Sequence, residues 1–160
     1  MSGAEAALPN VAELLARVLE RVAAQERPLL VALAERLAAE RYRGWAGEAS
    51  QRSRRAELLA CADREEEIAR RVEALYPEAA SVQREILAKH PDLLEINREL
   101  FAGRPLAEQF AIQARGERLG AATWRSLARH AEAASAREAF LACAELEEAS
   151  AAYLESLDRS

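Results

Sequence analysis

Residues 35–75 and 117–157 are the same segment written twice, at a constant offset of 82 and without a gap. The first copy begins ERLAAERYRGWA and the second ERLGAATWRSLA; further on, LLACADREEEIA stands against FLACAELEEASA. Identity covers 18 of the 41 aligned positions. Matching of Ala and Glu alone would inflate such a count. It would not bring Arg43 onto Arg125, Cys61 onto Cys143 and Tyr42 onto Trp124 in one frame. A duplicated unit of this length is a supersecondary element that cannot bury its apolar face alone, so two copies must close on each other.

The element is a helical hairpin. Ala, Leu, Glu and Arg dominate, all good helix formers, and no stretch alternates with the period of a strand. Pro9, Pro28, Pro77, Pro91 and Pro105 punctuate the chain rather than interrupt helices. They predict a helix from about Asn10 to Glu26, capped by Asn10 and striped with Val11, Leu14, Leu15, Val18, Leu19 and Val22. Further helices are expected over about 28–47, 51–76, 105–131 and 135–157, with shorter pieces in a crossover over 78–104. Short turns within each hairpin and a long connection between them describe an all-α four-helix bundle with one long crossover. Residues 1–27 form an N-terminal amphipathic helix and 28–160 the bundle. The stripe of the N-terminal helix suits either covering the bundle or a homodimer or partner groove.

The net charge of −5 argues against nucleic acid, which needs clustered cations. The densest basic cluster, Arg52, Arg54 and Arg55, reads as a solvated helix start. No apolar run reaches bilayer-spanning length and residues 1–10 carry no secretory pattern, so no membrane is expected and the cytoplasm is the expected compartment. There is no Gly-x-Gly-x-x-Gly, P-loop, Cys-x-x-Cys or Gly-x-Ser-x-Gly motif. Cys61 and Cys143 make no disulfide framework. Each precedes a glutamate by one helical turn. They read as buried packing residues, or alternatively as thiols that meet near the pseudo-two-fold axis.

The segments Glu35-x-x-Ala-x-x-Arg-Tyr-x-x-Trp-Ala and Ala62-Asp-Arg-Glu65-Glu-Glu-Ile68-Ala resemble the metal-bearing helices of the ferritin-like superfamily, in its rubrerythrin branch, over roughly residues 30–157. The resemblance implies a ferritin-like bundle with an internal diiron centre, one lone Glu and one Glu-x-x-His from each hairpin. Carried over, Glu35 and Glu117 take the lone positions, and Glu65 and Glu147 the Glu of each pair. The histidine positions hold Ile68 and Ser150, while His90 and His130 fall elsewhere. The rubredoxin-like Cys-x-x-Cys module of the longer members is absent. The reading is therefore a degenerate diiron-type site: a non-enzymatic scaffold or interaction protein, with no catalytic residue and no resident cofactor. The alternative is a carboxylate-only metal protein handling iron or peroxide, with Glu35, Glu65, Glu117 and Glu147 as ligands.

Four adjacent carboxylates cannot all stay ionised in an apolar interior. Metal ions, shared protons or inward arginines can neutralise them. The repeat-matched Arg43 and Arg125, or Arg36 and Arg118, are the expected arginine donors.

Overall fold

The computed structural model describes residues 7–158. Residues 1–6, part of the stretch that carries no secretory pattern, and Arg159 and Ser160 lie outside the described residues. Seven α-helices and no strand are present among the described residues: α1 (Val11–Glu20), α2 (Arg27–Ala46), α3 (Arg55–Glu73), α4 (Ala79–Lys89), α5 (Leu93–Phe101), α6 (Leu106–His130) and α7 (Ala134–Leu157). Among the described residues no helix is long and apolar enough to cross a membrane.

α1 starts as expected, with Asn10 Oδ1 accepting the Glu13 amide at 3.1 Å. It stops at Glu20, six residues earlier than the apolar stripe predicts. Tertiary contacts end it. The Arg27 side chain donates to the Leu19 and Val22 carbonyls (2.9 and 3.3 Å), and the side chain of Arg21, the C-cap residue, grips Asp92 through two bonds of 2.7 and 2.8 Å. Val22 packs with Leu30, Ile86 and Leu93 in a small satellite cluster. α3 also begins later than expected. Residues 49–54 form 3-10 turns broken at Gln51, and regular helix starts at Arg55, with Arg52 and Arg55 exposed. Gly103 adopts φ of 71° between α5 and α6, a conformation that costs glycine little.

α2 packs along α3, α6 along α7, and α3 against α7, while α1 lies on α6 and α4 on α2. The two long pairs carry the same surface ion pairs at aligned positions. Arg36 reaches Glu66 (2.7 Å) and Glu73 (2.6 Å), and Arg43 reaches Glu66 (3.1 Å). In the second pair Arg118 reaches Glu148 and Glu155, and Arg125 reaches Glu148 at 2.7 Å.

The interior has two apolar clusters. One gathers Val31 and Ala32 (α2), Ile68 and Val72 (α3), Trp124 (α6), and Phe140 and Cys143 (α7). The other gathers Tyr42 and Trp45 (α2), Leu58 and Cys61 (α3), Phe110 (α6) and Leu154 (α7). Each of the four helices passes from one cluster to the other through a single buried glutamate: Glu35, Glu65, Glu117 and Glu147. A layer of carboxylates therefore separates two greasy halves.

Candidate metal centre

Oxygen atoms of Glu35, Glu65 and Glu147 all lie within 4.8 Å of one another. Glu117 belongs to the same layer but stands outside that group of three. Its Oε1 accepts from the Tyr42 hydroxyl (2.6 Å) and from Gln113 Nε2 (2.8 Å), one turn earlier on α6. Glu147 Oε1 accepts from Trp124 Nε1 at 2.9 Å, and Glu65 Oε1 from the Ser150 hydroxyl at 3.3 Å. The matched aromatics Tyr42 and Trp124 thus both donate into the layer. Glu65 Oε2 and Glu117 Oε2 accept from no donor outside the layer although both side chains are buried; within it, hydrogen bonds link Glu65 to Glu35 and Glu117, and Glu117 to Glu147.

Electrostatics follow from this enclosure. Burial, then the charges of Glu117 and Glu35, push the Glu65 carboxyl well above the usual carboxylate range. Burial and the other three glutamates do the same to Glu147, and burial foremost raises Glu35. Tyr42 is also pushed up, by burial and by its neighbour Glu117.

The arginines expected to neutralise the layer are not there. Arg36, Arg43, Arg118 and Arg125 point outward into the surface ion pairs described above, which corrects the sequence-based assignment. A guanidinium is cheaper to keep hydrated at the surface than to bury against a carboxylate. Two other arginines come closer. Arg41 donates to Gln113 Oε1 (2.7 Å) and to Asn97, and lies 3.7 Å above the Phe101 ring. Its desolvation lowers its pKa to about 10. Arg64 donates to Ser150 Oγ (3.0 Å) and Cys61 Sγ (3.2 Å). Among the described residues no arginine hydrogen-bonds any of the four inner glutamates directly; Arg64 reaches Glu65 only through Ser150.

Ile68 is wholly buried in an apolar cluster, so that position offers only packing. His90 contacts Arg21 beyond the end of α4, and His130 is exposed at the end of α6. The two thiols are free and belong to different clusters: Cys61 beside Arg64, Cys143 against the Ile68 carbonyl at 3.9 Å. Burial raises both, Cys143 to about 12. We predict that native protein resists alkylation by iodoacetamide at pH 8 and gains two adducts only after unfolding. Rapid labelling of folded protein, read by intact mass, would show an accessible thiol instead.

Gln113, Arg41, Arg64 and Gly120 carry no sequence motif that marks them for the site. Gly120 is where the Glu147 carboxylate lies: a Cβ built there would fall 2.6 Å from Glu147 Cδ. Its only sequence signal is a glycine in mid-helix where the other copy has Ala38. No protein-family profile, curated protein or solved structure matches the chain.

Proposed function

We propose that this chain is a ferritin-like bundle of rubrerythrin type, built from a duplicated hairpin, that holds one divalent cation through carboxylates alone. The observation that carries the reading is the convergence of buried Glu35, Glu65 and Glu147 oxygens within 4.8 Å, with no donor from outside the layer on Glu65 Oε2. The repeat and the glutamate on each of four helices support the ancestry. An unpaired buried carboxylate is expensive, and a cation is the partner that removes the cost for three of them at once.

The donors are hard oxygens, which suit Mn(II), Fe(II) or Mg(II) better than soft ions. Tyr42 and Gln113 hold Glu117 to one side, and the Arg64–Ser150 pair stands beside Glu65, so the site favours one ion over a symmetric pair. A bound cation would supply positive charge that lets neighbouring carboxylates stay ionised. Trp124 and Ser150 would orient Glu147 and Glu65 toward it. With Ile68 and Ser150 in place of imidazoles, redox tuning by histidine is missing, which favours binding or a structural role over oxidase chemistry.

After anaerobic loading with Fe(II) or Mn(II) and desalting, metal analysis is expected to return about one ion per chain. A stoichiometry near zero for both metals sinks the cation site and leaves a metal-free scaffold.

A further inference from the structure

The carboxylate layer has one thinly closed side. Apolar clusters bound it at both ends, and α2 packs closely on α3, α6 on α7, and α3 on α7. No comparable packing joins α2 to α6. Small residues at the same 82-residue offset, Ala34 with Gly116 and Ala38 with Gly120, line the space between these two helices and are too short to close it. A cavity of about 180 Å³ lies there, and Glu35, Glu117 and Glu147 line it. Glu35 keeps 8% exposure where the other three glutamates keep 1% or less, so the layer meets solvent at a residue of the cavity wall.

Two helices cover this cavity, α5 and α1, the latter with Leu14, Leu15 and Val18. They are held differently. α5 buries Leu93 and Phe101, and the other α-helices bury residues as well, whereas α1 buries none. Its hold rests on half-buried side chains, and the free energy of a local opening follows the apolar area that the opening exposes, so α1 costs least to lift. Its C-terminal end stays tied. Val22 is buried in the satellite cluster, Arg27 holds the Leu19 and Val22 carbonyls, and Arg21 holds Asp92. Lifting α1 is thus a swing about residues 21–26 rather than a release.

We propose that α1 is a lid and the cavity beneath it the entrance to the carboxylate layer, through which water and a divalent cation reach the glutamates. Passage of the cation rests on the function proposed above; passage of water does not. Trp124 reports the opening, because its indole N–H donates to Glu147 Oε1 at 2.9 Å within the layer. That proton exchanges with solvent only when water arrives. α3 lines no part of the cavity, and its amides exchange only when the bundle itself opens.

The test pairs hydrogen exchange with metal exchange in the full-length chain. Leu14→Ala combined with Leu15→Ala thins the cover, while alanine keeps α1 helical. Leu58→Val loosens a buried apolar cluster from a position outside the cavity wall. In metal-free protein, NMR is expected to show the Trp124 indole proton about tenfold or more less protected than the α3 amides. The double variant should quicken its exchange by a further factor of about ten or more. Leu58→Val should quicken the α3 amides and leave the indole unmoved. Release of bound Mn(II) to excess chelator should accelerate in the double variant by about the same factor as the indole, and uptake with it, so that Kd stays within about twofold. An indole as protected as the α3 amides, or one that follows Leu58→Val instead of the double variant, overturns the lid. Mn(II) that is retained yet released at an unchanged rate from the double variant overturns the entrance. If the unaltered chain retains no Mn(II), the cation reading fails, and the indole rates still decide the lid.

Discussion

At pH 8 the metal-free Glu65→Gln protein should be more stable than the unaltered chain, and it should no longer retain a divalent cation. Glu65 is wholly buried, with one hydrogen bond of 3.3 Å from outside the carboxylate layer and none from outside it to the second oxygen. Its carboxyl is held well above the ordinary value of 4.5, so folded protein keeps a proton that the unfolded chain has released. The sign follows. A raised folded value contributes stability that is complete below the unfolded value and is lost as pH rises through the folded one. Glu35 and Glu147 shift the same way. Stability of the metal-free chain should therefore fall from about pH 5 upward, by up to about 1.4 kcal/mol per pH unit for each proton retained. Glu67, Asp92 and Glu148 are held below their ordinary range by arginine partners and act oppositely, losing their contribution only in acid. Gln keeps the shape of Glu65 without needing a proton. The gain should be about 1–3 kcal/mol at pH 8 and near zero at pH 4.5. Denaturant melts at the two pH values in chelator measure it. In hundredfold excess over Kd a cation should stabilise the unaltered chain by about 2.7 kcal/mol. It should do nothing for the variant, which has lost a direct ligand and hence about 100-fold or more in affinity. A variant less stable than the unaltered chain at pH 8 would show that the buried charge at Glu65 is not what the interior strains against.

The helices that line the layer are legible in the sequence because their signals are local and repeated. The 82-residue offset aligns α2 with α6 and α3 with α7, and by spacing alone it sets Arg36 and Glu73 against Arg118 and Glu155, the residues of two matching ion pairs. Pro28 and Pro105 place helix starts within a residue or so because proline is tolerated only there. What stays hidden depends on partners far apart in sequence. Nothing near Glu20 says that the helix stops, since Asp92 and Arg27 decide it. The arginines are more instructive. Identity between the copies suggests a place in the site, yet the identical arginines hold the hairpin surfaces together. The arginines nearest the layer, Arg41 and Arg64, are those that the second copy replaces, by Thr123 and Leu146. Apart from the four glutamates, which are themselves shared, the identical residues keep the frame, whereas the differing ones give each side of the layer its own chemistry. Cys61 and Cys143 fit the same rule: identical, buried and in separate clusters.

Gly120 is the sharpest of these departures, and Gly120→Ala should cost cation affinity while leaving the fold nearly as stable. The matched residue in the first copy is Ala38, so the helix itself tolerates a methyl group at this register. In α6 the space is taken. An added Cβ would lie 2.6 Å from Glu147 Cδ and 2.9 Å from its Oε2, and closer still to Oε1. Glu147 is buried and anchored by Trp124 Nε1, so its carboxylate must leave the position in which it meets Glu35 and Glu65. Overpacking of this kind costs about 1–3 kcal/mol, against a gain of roughly 1 kcal/mol for replacing glycine in a helix. The net change in unfolding free energy should stay within about 2 kcal/mol. Cation affinity should drop about 10- to 100-fold, because ligand position rather than ligand chemistry has been altered. Gly116→Ala, one turn earlier on the same helix, is the control. A methyl group there meets nothing within 4 Å, so it should bring the helix gain alone, with affinity unchanged. Competition titrations with a fluorescent chelator on both variants separate the effects. If the two alanines bind Mn(II) equally well, the Glu147 carboxylate does not need the place that Gly120 makes for it, and the three-carboxylate geometry is not what holds the ion.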